Sequence, residues 1–150
     1  MGQYYKIVNL DKKQFLHPHR FDDGLKLMEF GQSGSGTLLG LTILLADGNN
    51  RGGGDCRSDD PLIGSWAGDR IVIAGDYADP HYFIPEEDKE KLLNKCKEEQ
   101  QGRDLPDETK KRYAESNCNL YTYAEHFCED ISLKVVAVLT AAGEWQRGKD

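Results

Sequence analysis

Three short segments in the middle of the chain combine glycine with charged or aromatic side chains. Glycine permits positive φ angles and a close approach of the backbone to a ligand. Arginine binds carboxylate or phosphate through a planar fork, aspartate serves as a metal ligand or general base, and tryptophan and tyrosine offer aromatic faces. The pattern predicts a ligand-binding loop cluster. Its residues are Arg51, Gly52, Gly53, Gly54, Asp55, Trp66, Asp69, Arg70, Asp76 and Tyr77.

No nucleophile and base in these segments stand at a spacing that defines a known catalytic arrangement, so three functions stay open. The first is a non-enzymatic binding or regulatory module with a polar pocket built from the loops. The second is a small hydrolase or transferase acting on a phosphorylated or nucleotide-like substrate. In that enzyme Asp55, Asp69 or Asp76 would be a metal ligand or general base, and Arg51 or Arg70 would bind the anion. The third is an acidic protein–protein inhibitor.

A structural role is the alternative for part of this set. Trp66 and Tyr77 also fit a position at the edge of the core, with Asp69 and Arg70 in an ion pair. The strand between the second and third segments has five residues and spans roughly 17 Å, so its two ends share one small ligand only if the chain folds back. The sequence leaves the site and the structural alternative open.

Two further patterns fall short of specific sites. The glycine-rich run over 31–36 precedes an apolar stretch but departs from the Walker A and dinucleotide-binding fingerprints, so a tight turn is the simpler interpretation. His17 and His19 stand close to Asp22 and Asp23, but no third zinc ligand is identified. We therefore predict no metal site, and no cofactor is identified.

The overall composition bounds the classes of partner. The chain has 150 residues, a net charge of −7 and a pI near 5.1. A nucleic-acid backbone needs a basic face, so we expect a small anionic ligand or a protein partner rather than nucleic acid. The longest apolar stretch, 38–46, is too short to span a bilayer, and the N-terminus lacks the features of a signal peptide. We expect a cytoplasmic protein with no membrane partner.

The remaining sequence predicts an α+β fold, with one compact domain over residues 1–150. Aromatic and β-branched residues before the turn at 11–13 predict an N-terminal β-hairpin, which belongs to a small, mainly antiparallel sheet with three to four helices. Residues 85–116 form a candidate peripheral helical insertion. Periodicity leaves 25–30 undecided, and a buried strand is the alternative for 38–46. The predicted helices are Leu38–Ala46, Pro85–Gln101, Asp107–Ser116 and Ser132 to Gly143, and the predicted strands outside the hairpin are Arg70–Ala74 and Leu120–Phe127.

Several segments together carry a resemblance. They are Met1 to Lys6, Val8-Asn9, Asp11-Lys12, Gly24 to Leu27, Arg51 to Asp55, Trp66 to Arg70, Gly75 to Tyr77 and Asp130 to Ser132. With these segments the chain resembles a group of small uncharacterised proteins encoded in bacterial and bacteriophage genomes, over most of its length apart from 85–116. The resemblance implies a bacterial or phage origin, with the host cytoplasm as the location if phage-encoded, and glycine segments that belong together. It transfers no activity.

The cysteines give a first testable prediction. Cys56, Cys96, Cys118 and Cys128 are widely spaced, and no C-x-x-C motif occurs, so a zinc site or a disulfide scaffold is not expected. We predict that all four thiols are unpaired in the folded protein. Alkylation of freshly purified protein, denatured without reductant, should label four thiols by mass spectrometry. A smaller number would contradict the prediction.

Overall fold

A four-stranded mixed sheet organises the protein, and the computed structural model describes residues 2–148. Strands β1 (Tyr5–Asn9) and β2 (Gln14–Leu16) form the predicted antiparallel hairpin, because aromatic and β-branched residues dominate β1. Strand β3 (Ile71–Gly75) pairs antiparallel with the other edge of β1, and the two-residue β4 (Glu129–Asp130) pairs parallel with β2. The strand order is therefore β3-β1-β2-β4.

Within residues 2–148, six α-helices cover the two faces of this sheet. They are α1 (Leu27–Phe30), α2 (Gly36–Leu45), α3 (Lys89–Gln100), α4 (Asp107–Ser116), α5 (Leu120–Phe127) and α6 (Ser132–Ala141), with short 3-10 turns at Pro18–Phe21 and Glu86–Asp88. Helices α1, α2 and α6 place Phe30, Ile43 and Val135 in a first core. Helices α3, α4 and α5 form a second core, so the sheet lies between two helical layers.

The hairpin contributes to both cores because successive side chains of a strand point to opposite faces. Ile7 lies opposite Leu16 and belongs to the first core, whereas Val8 lies opposite Phe15 and belongs to the second. All four side chains are buried. A shift of one residue in the register would exchange the two sets, so burial on both faces fixes the pairing.

Helix α2 confirms the helix predicted over Leu38–Ala46, and the alternative of a buried strand is wrong. The Ser35 hydroxyl accepts a hydrogen bond from the Leu38 amide at 3.0 Å and caps the helix. A Cβ atom at Gly40 would lie 2.9 Å from the ring of Phe21 and 3.0 Å from Val135. Glycine is therefore required here because two neighbouring elements pack directly against the helix backbone.

Three details of the prediction are wrong. Residues 120–127 form α5 rather than a strand, because the Asn119 carboxamide oxygen accepts the Thr122 amide at 3.1 Å and starts a helix there. With this helix, residues 2–148 contain six α-helices, whereas the sequence predicts three to four. Ser132 does not cap α6, since its hydroxyl accepts the His17 amide at 2.8 Å and ties the helix to the end of β2.

The segment 85–116 packs into the second core. Leu92, Cys96 and Ala114 are buried there beside the hairpin residues of that face. All four cysteines are free, as predicted. Burial raises the pKa of Cys96 to about 12, so this thiol is protonated at neutral pH and acts as a small apolar side chain.

We predict that two aromatic residues of the predicted ligand set, Trp66 and Tyr77, contribute very differently to the free energy of unfolding. Trp66 is completely buried, whereas Tyr77 is 62% exposed. We expect Trp66→Ala to lower the free energy of unfolding by about 3–5 kcal/mol, because it leaves a cavity in the first core. Tyr77→Ala should change it by about 0.5 kcal/mol or less. Urea denaturation checks both variants, and similar values for the two would contradict this assignment.

Candidate functional site

The glycine loop at 51–55 is closed on itself. Both backbone amides at its start, those of Arg51 and Gly52, donate to the Asp55 carboxylate at 2.8 and 3.2 Å. Asn49 clamps the following segment, because its side chain donates to the carbonyls of Cys56 and Ser58 and accepts the Cys56 amide. The Asp55 carboxylate is thus used within its own loop, where it accepts amides three and four residues before it.

Trp66 is a core residue. Its indole nitrogen donates to the side-chain oxygen of Gln14 at 2.8 Å, and its backbone amide donates to the carbonyl of Leu44. The ring belongs to the first core and has no exposed surface. Trp66 therefore has the structural role that is the alternative to ligand binding, and the face of its ring is not open to a ligand.

Asp69 and Arg70 contact the hairpin turn. The buried Asn9 side chain and Lys12 both donate to the Asp69 carboxylate, at 2.9 and 2.5 Å. Arg70 donates to Asp11 through its backbone amide, Nε and Nη2 at 2.7, 3.0 and 2.8 Å. Hydrogen bonds from Asn9 hold the pKa of Asp69 below its ordinary value, and those from Arg70 do the same for the pKa of Asp11.

Asp76 and Tyr77 lie at the opposite end of β3. The Asp76 carboxylate accepts the Tyr4 amide at 2.9 Å, and the Asp76 amide donates to the Tyr4 carbonyl at 2.8 Å. The Tyr77 amide donates to the side chain of Gln3, and its ring projects into solvent. The full length of β3 separates this pair from Asp69 and Arg70, so the two pairs are not brought together.

The structure contains a cavity of about 380 Å³ between the hairpin, the segment before α3 and helix α5. Its walls are mostly apolar, and its two charged lining side chains are both cations, Lys13 and Arg70. The lining residues are Val8, Asn9, Leu10, Lys13, Arg70, Phe83, Ile84, Pro85, Leu120, Tyr123 and Cys128. The volume and the apolar lining with few polar groups are typical of a small-molecule site. Among the predicted site residues, Arg70 lines this cavity.

A buried hydrogen bond supports one wall of the cavity. The Tyr123 hydroxyl donates to the Asp88 carboxylate at 2.6 Å, and the Lys13 ammonium lies 3.5 Å from the same oxygen. The bond from Tyr123 lowers the pKa of Asp88, and burial raises the pKa of Tyr123. At neutral pH the pair is a carboxylate and a neutral phenol, and the carboxylate lies beside the ammonium of Lys13.

The thiol in this cavity is not an activated nucleophile. Burial raises the pKa of Cys128 to about 11, so the thiol is protonated at neutral pH. No histidine lies among the lining residues, and the pKa of Arg70 is raised by its hydrogen bonds to Asp11. The shifted groups in the cavity therefore all keep one protonation state around pH 7, whereas a general acid or base is most effective with a pKa near the working pH.

The rim of the cavity carries backbone strain. His81 and Phe83 have φ angles of 77° and 65°, a region that bulky side chains rarely adopt and that costs about 1–3 kcal/mol for each residue. The His81 amide donates to the Cys118 carbonyl at 2.8 Å, which holds the turn against the start of α5. The strained turn leaves the rings of Tyr82 and Phe83 exposed, and Phe83 borders the cavity.

Asn119 joins this rim to β3. Its side chain is completely buried and donates to the carbonyls of Asp76 and Ala78 at 2.9 and 3.3 Å. The same side chain caps α5 through the Thr122 amide. One carboxamide thus connects the end of the edge strand with the helix that supplies Leu120 and Tyr123 to the cavity.

Sequence reasoning also missed a buried lysine. Lys6 is 3% exposed, its ammonium lies 3.6 Å from the ring centroid of Tyr121, and burial lowers its pKa. The ring centroid of Phe15 lies 5.7 Å from the same ammonium. An aromatic pair of this kind stabilises a desolvated cation. Lys6 is not among the residues that line the cavity.

The Tyr123–Asp88 bond predicts an acid-dependent loss of stability. Because the pKa of Asp88 in the folded protein is below its ordinary value of 3.8, its contribution is present above pH 3.8 and is lost as the pH falls further. We expect Tyr123→Phe to reduce the fall in Tm between pH 7 and pH 3. Tyr113→Phe, which deletes the hydroxyl of a partly exposed tyrosine, should leave that fall unchanged. Equal effects of the two substitutions would contradict the role of the bond.

Over residues 2–148, no three or more His, Cys, Asp or Glu side chains are grouped so that they could hold a metal ion. Every helix in this part of the chain is too short or too polar to cross a membrane. No protein-family model, curated protein or solved structure matches the chain.

Proposed function

We propose that the protein is a non-enzymatic binding module whose cavity holds a small ligand with an apolar ring system and an anionic group. The observation that carries the proposal is the charge of the cavity. The chain has a net charge of −7, yet the charged side chains that line its cavity of about 380 Å³ are two cations. A local reversal of sign at a concave, mostly apolar surface favours an anionic ligand.

The apolar part of the ligand would lie against the interior of the cavity. Val8, Leu120 and Ile84 are buried and present aliphatic side chains there, and Phe83 adds an exposed ring at the mouth. A planar ring system fits these walls because aromatic and aliphatic surfaces pack closely and release water. This part of the site explains why an exposed phenylalanine is held in a strained turn.

The anionic part would contact the cations at the hairpin end. Asp11 occupies Nε and Nη2 of Arg70 and fixes the plane of the guanidinium, while Nη1 forms no hydrogen bond within residues 2–148. Lys13 lies 3.5 Å from Asp88, a long contact that leaves its ammonium able to donate elsewhere. A carboxylate or phosphate between the two cations would form charge-assisted hydrogen bonds with both.

The protonation states of the groups in and beside the cavity favour binding over catalysis. The Cys128 thiol and the Tyr123 phenol have raised pKa values, and Asp88 is held as a carboxylate by Tyr123. The proposal uses Arg70 of the predicted ligand set. The loop 51–55 stays a sequence prediction, as do the enzyme and protein-inhibitor alternatives.

A matched pair of probes tests the charge preference. Indole-3-acetate and tryptamine share a ring system but carry opposite charges. In a titration of ¹⁵N-labelled protein followed by NMR, we expect indole-3-acetate to shift the amide signals of Val8, Leu10 and Cys128, with tryptamine at least about tenfold weaker. Equal binding of the two probes, or shifts confined to other residues, would contradict the proposal.

A substitution in the hairpin turn tests the assigned cation. Lys13→Gln should weaken indole-3-acetate binding by roughly tenfold, because it removes one of the two charges at the cavity. Lys12→Gln is the matched control, since it removes a lysine from the same turn whose partner is Asp69 and which does not line this cavity. The control should keep wild-type affinity. If both variants weaken binding equally, the effect is one of net charge and the site assignment is wrong.

A further inference from the structure

Strand β3 forms an outer edge of the sheet, and its outward backbone N–H and C=O groups can pair with another strand. The Leu10 amide donates to the Arg70 carbonyl, and the Asp76 amide donates to the Tyr4 carbonyl. Even-numbered residues over 70–76 therefore direct their backbone groups toward β1, and odd-numbered residues direct theirs away. Within residues 2–148, no group forms a hydrogen bond with the outward N–H or C=O of Ile71 or Ile73.

The side chains of this edge do not oppose pairing. The strand reads Ile-Val-Ile-Ala-Gly and contains neither proline nor a charged residue, the usual means by which edge strands avoid association. Ile73, at its centre, is 46% exposed, so no other element covers this part of the edge. An exposed apolar edge with unpaired backbone groups is a template for another strand.

The order of charges along the strand identifies the partner as a second copy of this chain. We propose that two chains form a symmetric dimer in which the two β3 strands pair antiparallel about a two-fold axis at Ile73. Arg70 and Asp76 are equidistant from Ile73, so this register places Arg70 of each chain directly opposite Asp76 of the other. A two-fold axis produces this ion pair twice, because the same surface is used on both chains.

Two features of the strand agree with the same register. The outward-facing Ile73 of one chain meets Ile73 of the other and can exchange both backbone hydrogen bonds, which an antiparallel pair requires at such a position. Arg70 and Asp76 flank the ladder, and their backbone bonds to Leu10 and Tyr4 continue its even-numbered pattern, so their side chains lie on the same face of the sheet. Ile71 lies opposite Gly75, whose carbonyl already accepts the Ala78 amide of its own chain at 3.1 Å.

The charged atoms are also available. Arg70 is 73% exposed at its side chain and keeps Nη1 free of hydrogen bonds within residues 2–148, while Asp76 uses Oδ1 for the Tyr4 amide and has its second oxygen left. Nη1 of Arg70, which carries two N–H bonds, is used by both the ligand proposal and this ion pair, whereas Ile73 at the centre of the interface does not line the cavity. An unrelated strand of another protein would lack the matched placement of both charges.

Sedimentation velocity over a range of concentrations up to about 1 mM measures the association. We expect a reversible change from the 16.9 kDa chain to twice that mass. Ile73→Lys should raise the dissociation constant at least about tenfold, because it places two like charges at the axis. Leu133→Lys is the matched control, since Leu133 is an apolar residue of α6 that is 52% exposed, and it should dimerise like the wild type.

Amide hydrogen exchange of the unmodified protein identifies the surface even if a variant fails to fold. In the dimer, the amides of Ile71 and Ile73 should be protected, and dilution to the monomer should release them. The amides of Val72 and Ala74 should stay protected throughout, because they bond to β1. A protein that is monomeric at every concentration would overturn the proposal. A dimer whose Ile71 and Ile73 amides exchange rapidly, or a dimer that Ile73→Lys leaves intact, would overturn it as well.

Discussion

Burial of the β1–β2 hairpin on both faces is the constraint on which the other elements depend. Ile7 and Leu16 require one helical layer, and Val8 and Phe15 require another. The first layer is supplied by α1, α2 and α6, and the second by α3, α4 and α5. Each layer alone would leave one apolar face of a short sheet in water. The chain therefore needs its middle helices as part of the packed structure, although their sequences are highly charged.

The same hairpin gives the candidate site its charge. Its turn holds Asp11 and Lys13 beside Arg70 at the start of β3, and Asn9 fixes the turn by accepting the amides of Asp11 and Lys12. The cations at the cavity are thus positioned by backbone pairing rather than by long flexible loops. Their counter-charges, Asp88 beside Lys13 and Asp11 beside Arg70, are not among the lining residues, so an acidic chain can present a cationic cavity.

Local signals in the sequence predicted much of the fold. The hairpin, the α4 helix and the helix over 38–46 follow from residue pattern and capping, which act over a few positions. The strand predicted for 120–127 is wrong because Asn119 caps a helix there, a signal that rests on one residue before the segment. The cavity could not be predicted from the sequence. Its lining residues come from β1, the hairpin turn, 83–85 and α5, and no local motif connects these segments. Among the glycine segments, the carboxylates of Asp55 and Asp76 bond to backbone amides, a use that the sequence does not distinguish from ligand binding.

The buried Asn119 side chain has a consequence for the order of folding. Its bonds reach Asp76 and Ala78 across more than 40 positions of the chain, while its oxygen caps the eight-residue α5. A helix of this length is marginal in isolation, since nucleation is costly and few backbone bonds follow it. The cap residue reaches its final position only when the end of β3 is in place. Closing a loop of that size costs entropy before any contact compensates, so we expect α5 and the cavity wall it carries to form after β3 has joined the sheet.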